Sequence, residues 1–509
     1  MSFLSFTFAV FVAVLLILYY TLFKKNQWLL LLCGSLIFYA CASLKYLIFL
    51  GFSIVTVYIA AVKIDGLAKE SDALKEKISR RERTVLVLTL IANILILAVL
   101  KYTGFFLDTT GSILNAAGLD VSMPQVNFLL PLGISFYTFM SISYLLDVYW
   151  GVCQPEENIL RYALFVSYFP HITSGPIDSL NELKGDLFKE HVFDAIEFKE
   201  GMYRILIGLF KKLVIASRLS VYVDAVYGNP KGYDSLTLLV ATFLYAFQMY
   251  CDFSGYVDMA VGISRLFGIH IFENFNLPYF SRSIPEYWRR WHITLGVWFR
   301  TYIFYPVIRS QMCKKLSKRL KKNHSKAFAS MITTIIGLIC VWLLTGLWHG
   351  ASWHYVMHGI YHGTIIIIST VLAGSYKKWK QALKISDESK VFHVFQIIRT
   401  FILVDISYIL FRANSLSDAA YIMKKIFTQM SISSAAVKSA VLPFTEDNTA
   451  VAYGSVAFAA LLMLFAAELF EYNNKDFFKR HRYLTSAVMM LMILLFGVFG
   501  QSSFLYAAY

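Results

Sequence analysis

"ITTIIGLICVWLLTGLWHGASWHYVMHGIYHGTIIIISTVL", residues 332–372, contains no Asp, Glu, Lys or Arg. Two apolar runs, 332–347 and 355–372, flank a centre of Gly, Trp and His. A membrane-spanning helix needs roughly 17–25 mostly apolar residues, so each run qualifies once its edges are included. The stretch reads as two spanning segments joined by a tight turn. Histidine is costly in hydrocarbon unless it is paired, wetted or used, so His349, His354, His358 and His362 all require an explanation.

The same texture extends over the chain. Further apolar runs lie at 3–23, 28–43, 46–62, 85–100, 128–149, 236–249, 394–411, 451–469 and 484–504. The 509 residues are 58% hydrophobic with a mean hydropathy of +0.58, and only 16% are charged. Soluble globular chains carry about 25% charged residues. The expected fold is an all-α polytopic integral membrane protein with about 10–12 crossings. The first run lacks a basic leader, because Lys24 and Lys25 follow it, and it reads as a retained helix rather than a signal peptide. The stretch 149–306 is less regular. Pro170, Pro176, Pro278, Pro285 and Pro306 punctuate it, and apolar and charged residues mix, as amphipathic and re-entrant helices would. One integral membrane domain, 1–509, is expected: N-terminal helices at 1–150, a core with re-entrant segments at 151–375, and C-terminal helices at 376–509.

The net charge of +15 comes from basic clusters between apolar runs. Residues 63–83, 309–326, 377–390 and 475–482 hold seven, eight, five and four Lys/Arg, whereas 105–127 hold none. This is the positive-inside pattern. It speaks for lipid contacts rather than nucleic acid as the partner, and it puts 105–127 and the N-terminus outside. The six cysteines are scattered without CxxC spacing and suggest no disulfide or metal centre.

Three roles compete for the histidines. His354, His358 and His362 recur at i, i+4, i+8 and share one helix face. Two of them could chelate zinc, but Tyr355 stands where a zincin carries its glutamate, and no Asp, Glu or Cys nearby offers a third ligand; no metal is expected. Hydrogen bonding to a neighbouring helix is the plainer role, and Gly359 and Gly363 suit close helix packing. His349 differs, lying between Trp348 and Gly350 at the join of the two runs. A shielded imidazole there could take a proton from a hydroxyl and later release it. Packing remains its alternative.

A second island is "SRSIPEYWRRWHITLGVWFRTYIFYP", residues 281–306. Pro285 suits a first helical turn capped by Ser281 or Ser283. On one continuous helix, Trp288, Trp291 and His292 share a face and Arg289 and Arg290 point elsewhere. An arginine pair suits lipid phosphate, or equally the phosphates of coenzyme A or phosphopantetheine. Asp147, Asp252, Asp258 and Arg265, in apolar surroundings, either pair with partners or line a wet site.

Together the two islands resemble the membrane-bound O-acyltransferase family. "LPLGISFYTFMSISYLLDVYWG" (130–151), "YFPHITSGPI" (168–177) and "YCDFSGYVDMAVGISRLFGI" (250–269) resemble its bacterial polysaccharide branch, the alginate O-acetylation type above all. The D-alanyl transferases of teichoic acid synthesis are a more distant likeness. The alginate type usually has Gln or Lys where His171 stands. The resemblance implies a ring of helices around a thinned centre with a tunnel. It implies catalytic roles for His349 and His292. It also implies an acyl thioester donor, acetyl-CoA or an acylated carrier, on the cytoplasmic side. The acceptor would be a hydroxyl on an exported polysaccharide or on a secreted or membrane-anchored relay protein. No bound cofactor is expected. Trp288, Trp291 and Trp348 would shape the acyl channel, and Arg289 and Arg290 would meet donor phosphates. The location implied is the bacterial plasma membrane. Broken helices and buried charges also suit a transporter or flippase, which stands as the competing class.

Overall fold

The computed structural model describes residues 2–73, 80–126, 128, 130–173, 175–386, 388–441, 450–473 and 480–499. Part of the first basic cluster, at 74–79, and most of the last, at 475–479, lie outside these residues. Regular structure among them is helical, with no strand and one isolated antiparallel bridge between Phe275 and Trp291.

In chain order the helices begin with α1 (Phe6–Thr21), α2 (Gln27–Ala40), α3 (Leu47–Ala73), α4 (Arg80–Ala116), α5 (Ile134–Tyr149), α6 (Ile159–Ser167) and α7 (Leu180–Leu187). Then come α8 (Ala195–Leu209), α9 (Ser217–Gly228), α10 (Ser235–Leu266), α11 (Ile284–Arg290), α12 (Ile293–Phe299), α13 (Tyr305–Arg309) and α14 (Gln311–Asn323). The remainder are α15 (Lys326–His349), α16 (Trp353–Val371), α17 (Ala373–Ala382), α18 (Lys390–Arg412), α19 (Leu416–Thr428), α20 (Ser434–Val441), α21 (Ala450–Asn473) and α22 (Arg482–Phe496). Six helices among the described residues are long and apolar enough to cross a membrane, or seven if α16 and α17, bent by 61°, form one span. The shorter apolar helices α1, α2 and α22 have 16, 14 and 15 residues. At 1.5 Å per residue these reach about 21–24 Å, short of a hydrocarbon core of about 30 Å. The protein is an all-α polytopic membrane protein.

Serine starts many of these helices. Ser283, Ser310, Ser325, Ser389 and Ser415 accept the orphan N–H of Glu286, Cys313, Phe328, Phe392 and Asp418. The long helices are apolar on all sides because lipid and protein are both apolar neighbours. On α4, Leu88, Ile91, Leu95 and Val99 are exposed along one side, while Leu86, Asn93 and Leu97 are buried.

Two compact units are distinguished. The first comprises the chain up to Ile205 together with Val257–Phe272. In it α3 packs on α4, α5 and α6. Gly133, which opens α5 with φ +66°, could carry no side chain, since a Cβ would lie 2.0 Å from the Ile172 carbonyl oxygen. The buried Asp258 pairs with half-buried Arg204 at 2.7 Å, and half-buried Arg265 with Glu197 at 2.8 Å. His171 is fully buried, its Nε2–H donating to the Phe165 carbonyl at 3.0 Å and its Nδ1 facing Asp178 across 3.6 Å. Burial pushes the Asp178 carboxyl above its ordinary range.

The second unit comprises Leu206–Tyr256 and the chain from Glu273 onward. Here Asp252 pairs with Lys212. Helices α15 and α16 form a close hairpin in it. A methyl on Gly359 would lie 2.3 Å from the Trp342 carbonyl oxygen and 3.0 Å from Gly346. Only glycine lets the two backbones approach this closely. Gly350 ends α15 in extended conformation, and Ser352 precedes α16.

Candidate active site

All components of the site belong to the second unit. His349 is the last residue of α15, 4% exposed. It borders a small cavity with Met249, Tyr287, Trp288, Trp291, His358, Tyr408 and Phe411. The free space is about 10 Å³, room for about one water. Anything larger enters only if this aromatic wall moves. The His349 ring packs against Trp348 at 5.1 Å, Phe411 at 5.1 Å and His358 at 5.9 Å between centroids.

The three histidines of α16 face α18. His354 Nδ1–H donates to the Leu410 carbonyl at 3.1 Å, and His358 Nδ1–H to the Ser407 carbonyl at 3.1 Å. Carbonyl oxygens only accept, so in each neutral ring Nε2 is the acceptor nitrogen. His362 receives the Trp288 indole N–H on Nδ1 at 3.2 Å and bonds Ser407 Oγ through Nε2 at 3.0 Å. Helix-to-helix bonding thus accounts for His354 and His362. His358 makes such a bond and also lines the cavity, a position that the i, i+4, i+8 pattern does not single out.

The second island departs from one continuous helix. Ser283 caps α11 and Pro285 lies in its first turn, as the residue types imply. The helix stops at Arg290, however. Trp291 is extended and bridges Phe275, and His292 adopts the left-handed conformation at φ +45° before α12 begins. Sparsely populated backbone at a non-glycine residue persists only where the surroundings impose it. Here the imposing group is Asn274. Its Oδ1 accepts the Thr294 N–H at 3.0 Å, the Thr294 hydroxyl at 3.0 Å and His292 Nδ1–H at 3.3 Å. Because the Thr294 amide can only donate, the Asn274 atom is oxygen, Nδ1 of His292 carries the proton, and Nε2 is the acceptor. Burial lowers the His292 imidazole to about 3, so it is neutral at physiological pH.

His292 packs on Phe253 at 4.9 Å and on Trp348 at 5.6 Å. Trp348 therefore touches both His292 and His349. Of the remaining expected residues, Trp288 and Trp291 line the cavity. Trp291 sits in an aromatic cage, stacked on Tyr287 at 5.6 Å and edge-on to Phe275 at 5.0 Å. Arg290 is committed to Glu286 at 2.9 Å and to the Asn276 carbonyl at 3.3 Å. Arg289 is exposed and makes no ion pair among the described residues. Neither arginine lines the cavity.

A tyrosine chain closes one side. The Tyr279 hydroxyl donates to the Ala246 carbonyl at 2.6 Å, and its oxygen lies 3.3 Å from that of Tyr408, which lies 2.8 Å from that of Tyr287. With the Tyr279 proton spent on a carbonyl, Tyr408 donates to Tyr279 and Tyr287 to Tyr408. Tyr287 and Tyr408 sit at the cavity, and the sequence patterns did not single them out.

Comparison with known proteins gives the family. The profile described as MBOAT, membrane-bound O-acyltransferase family, matches residues 155–403, a range that includes α11, α12, α15 and α16. A protein of Pseudomonas syringae named probable alginate O-acetylase AlgI is 32% identical over 92% of this chain and 82% of its own. A peptidoglycan O-acetyltransferase of Helicobacter pylori is 30% identical over 95% of this chain and 91% of its own. A teichoic acid D-alanyltransferase of Bacillus subtilis is 28% identical over 57% of this chain and 70% of its own. The enzyme class thereby prevails over the transporter, and the chain belongs to the membrane-bound O-acyltransferase family.

Proposed function

We propose that this O-acyltransferase moves an acetyl group from a cytoplasmic thioester to a hydroxyl on the outer side of the bacterial plasma membrane. The observation that carries this is His349, held at the end of α15 in a cavity walled by Trp288, Trp291 and His358. His349 takes the proton of the acceptor hydroxyl as that oxygen attacks the thioester carbonyl carbon. The C–O bond forms, the C–S bond breaks, and the departing thiolate takes the proton from the imidazolium. The donor is acetyl-CoA or an acetylated carrier. The acceptor is a sugar hydroxyl of an exported polysaccharide, or a hydroxyl on a secreted or membrane-anchored relay protein.

His292, neutral with its proton on Nδ1, packs on Trp348, which also packs on His349, and is suited to orient the donor through that indole. Trp288, Trp291 and Trp348 confine the acyl group. Arg289 is the better candidate of the arginine pair for donor phosphate, since Arg290 is tied to Glu286. The basic clusters support a topology with the N-terminus outside. Acetyl is favoured over D-alanyl because the O-acetylating relatives match a larger share of the chain.

The test is ester-linked acetate on the envelope of cells producing wild-type protein or His349→Ala at equal membrane abundance. Loss in the variant is expected. Normal acetate there removes His349 from the chemistry.

A further inference from the structure

The cavity wall is held by hydrogen bonds that can run in only one direction. The Trp288 indole has a proton and no acceptor, so it donates to His362 Nδ1. With Nδ1 occupied by that contact, the neutral His362 ring carries its proton on Nε2 and donates it to Ser407 Oγ. Ser407 in turn donates its hydroxyl proton to the Val404 carbonyl at 2.5 Å. The backbone oxygen of the same serine accepts Nδ1–H of His358. Ser407 is fully buried, so no water competes for these bonds. One residue of α18 therefore bonds two imidazoles, His362 through its hydroxyl and His358 through its backbone carbonyl. Through the hydroxyl it reaches one member of the His349 cavity, Trp288.

We propose that Ser407 is a positioning residue of the acyl-transfer site, its hydroxyl acting on Trp288 through His362. The inference rests on the cavity around His349 being the site of transfer. Without Ser407 Oγ, the Nε2–H of His362 loses its acceptor. Moving the proton to Nδ1 would set it against the Trp288 N–H, donor facing donor. Either arrangement releases the indole from its place on the wall.

The experiment uses the full chain labelled with 5-fluorotryptophan in detergent micelles. The fluorine resonance of Trp288 is identified as the line lost in Trp288→Phe. Acyl transfer is read in parallel as envelope ester acetate in cells at matched membrane abundance. Ser407→Ala is expected to shift the Trp288 line and to lower transfer by about tenfold, the scale of one buried hydrogen-bond group left unmet. Ser407→Thr keeps the hydroxyl and keeps both readouts near wild type. Where Ser407→Ala fails to accumulate, His362 variants decide. In His362→Gln the amide can accept from Trp288 and donate to Ser407, so both readouts hold; His362→Phe can do neither, and both change. An unmoved Trp288 line, or undiminished transfer despite a moved line, overturns the positioning role. His349→Ala is run alongside. Activity in that variant would overturn the cavity as the site, whereas an inactive His349→Ala beside an indifferent Ser407→Ala overturns only the role of Ser407.

Discussion

The rings of His349 and His358 meet edge to face, with centroids 5.9 Å apart and planes at 89°. His354, one turn earlier on α16, bonds α18 in the same way as His358 but does not reach the cavity. The two positions should therefore respond differently. His354→Gln is expected to retain most envelope acetylation, and His358→Phe to lose about tenfold or more, the scale of one buried hydrogen-bond group left unmet. Equal tolerance at both positions, scored as ester acetate per unit of membrane protein, would return His358 to a packing role.

His292 gives a pH dependence with a defined sign. Its folded value of about 3 lies below the ordinary value of 6.5. Between those limits the unfolded chain binds a proton that the folded chain does not, so stability falls as pH drops from about 6.5 toward 3. His292→Gln removes this contribution. Thermal unfolding in detergent from pH 7 to pH 4 should show a shallower loss in the variant. An identical slope would mean that the ring is not held neutral.

Asn274 is the hub of the break between α11 and α12. Asn274→Leu strands the Thr294 amide, the Thr294 hydroxyl and His292 Nδ1–H without their acceptor. Each buried group left unmet costs about 1–3 kcal/mol, so a clear drop in unfolding temperature and weak transfer are expected. Unchanged stability in that variant would show that Asn274 does not impose the left-handed turn.

Gly359 allows α16 to lie on α15. Gly359→Val places a branched side chain where even a methyl meets the Trp342 carbonyl. Overpacking of this kind costs about 1–3 kcal/mol or more. Reduced membrane accumulation is expected, measured by immunoblot against Gly359→Ala as the milder case. Wild-type accumulation of both variants would contradict the close hairpin.

Parts of this arrangement are legible in the residue order, because they depend on near neighbours. Ser283 and Pro285 announce the start of α11, and Gly346, Gly350, Gly359 and Gly363 announce a tight hairpin. The apolar runs announce the spanning helices. The turn at His292 is not legible, because nothing local distinguishes it from helix. It is set by Asn274, eighteen positions away. The Trp288–His362 bond joins residues 74 positions apart, and the cavity roles of His358, Tyr287 and Tyr408 depend on how α10, α11, α15, α16 and α18 converge. Arg290 looked equivalent to Arg289 until Glu286 claimed it. Glu286 and Arg290 are four apart on a helix, a spacing that favours an ion pair, and that signal was available.

The proposed role of His349 as general base is read from ester acetate released from the envelope of cells carrying His349→Ala or His349→Gln at wild-type membrane abundance. Both variants are expected to lose at least about a hundredfold, as removal of a general base does. Acetate within a few-fold of wild type in either variant would contradict the account.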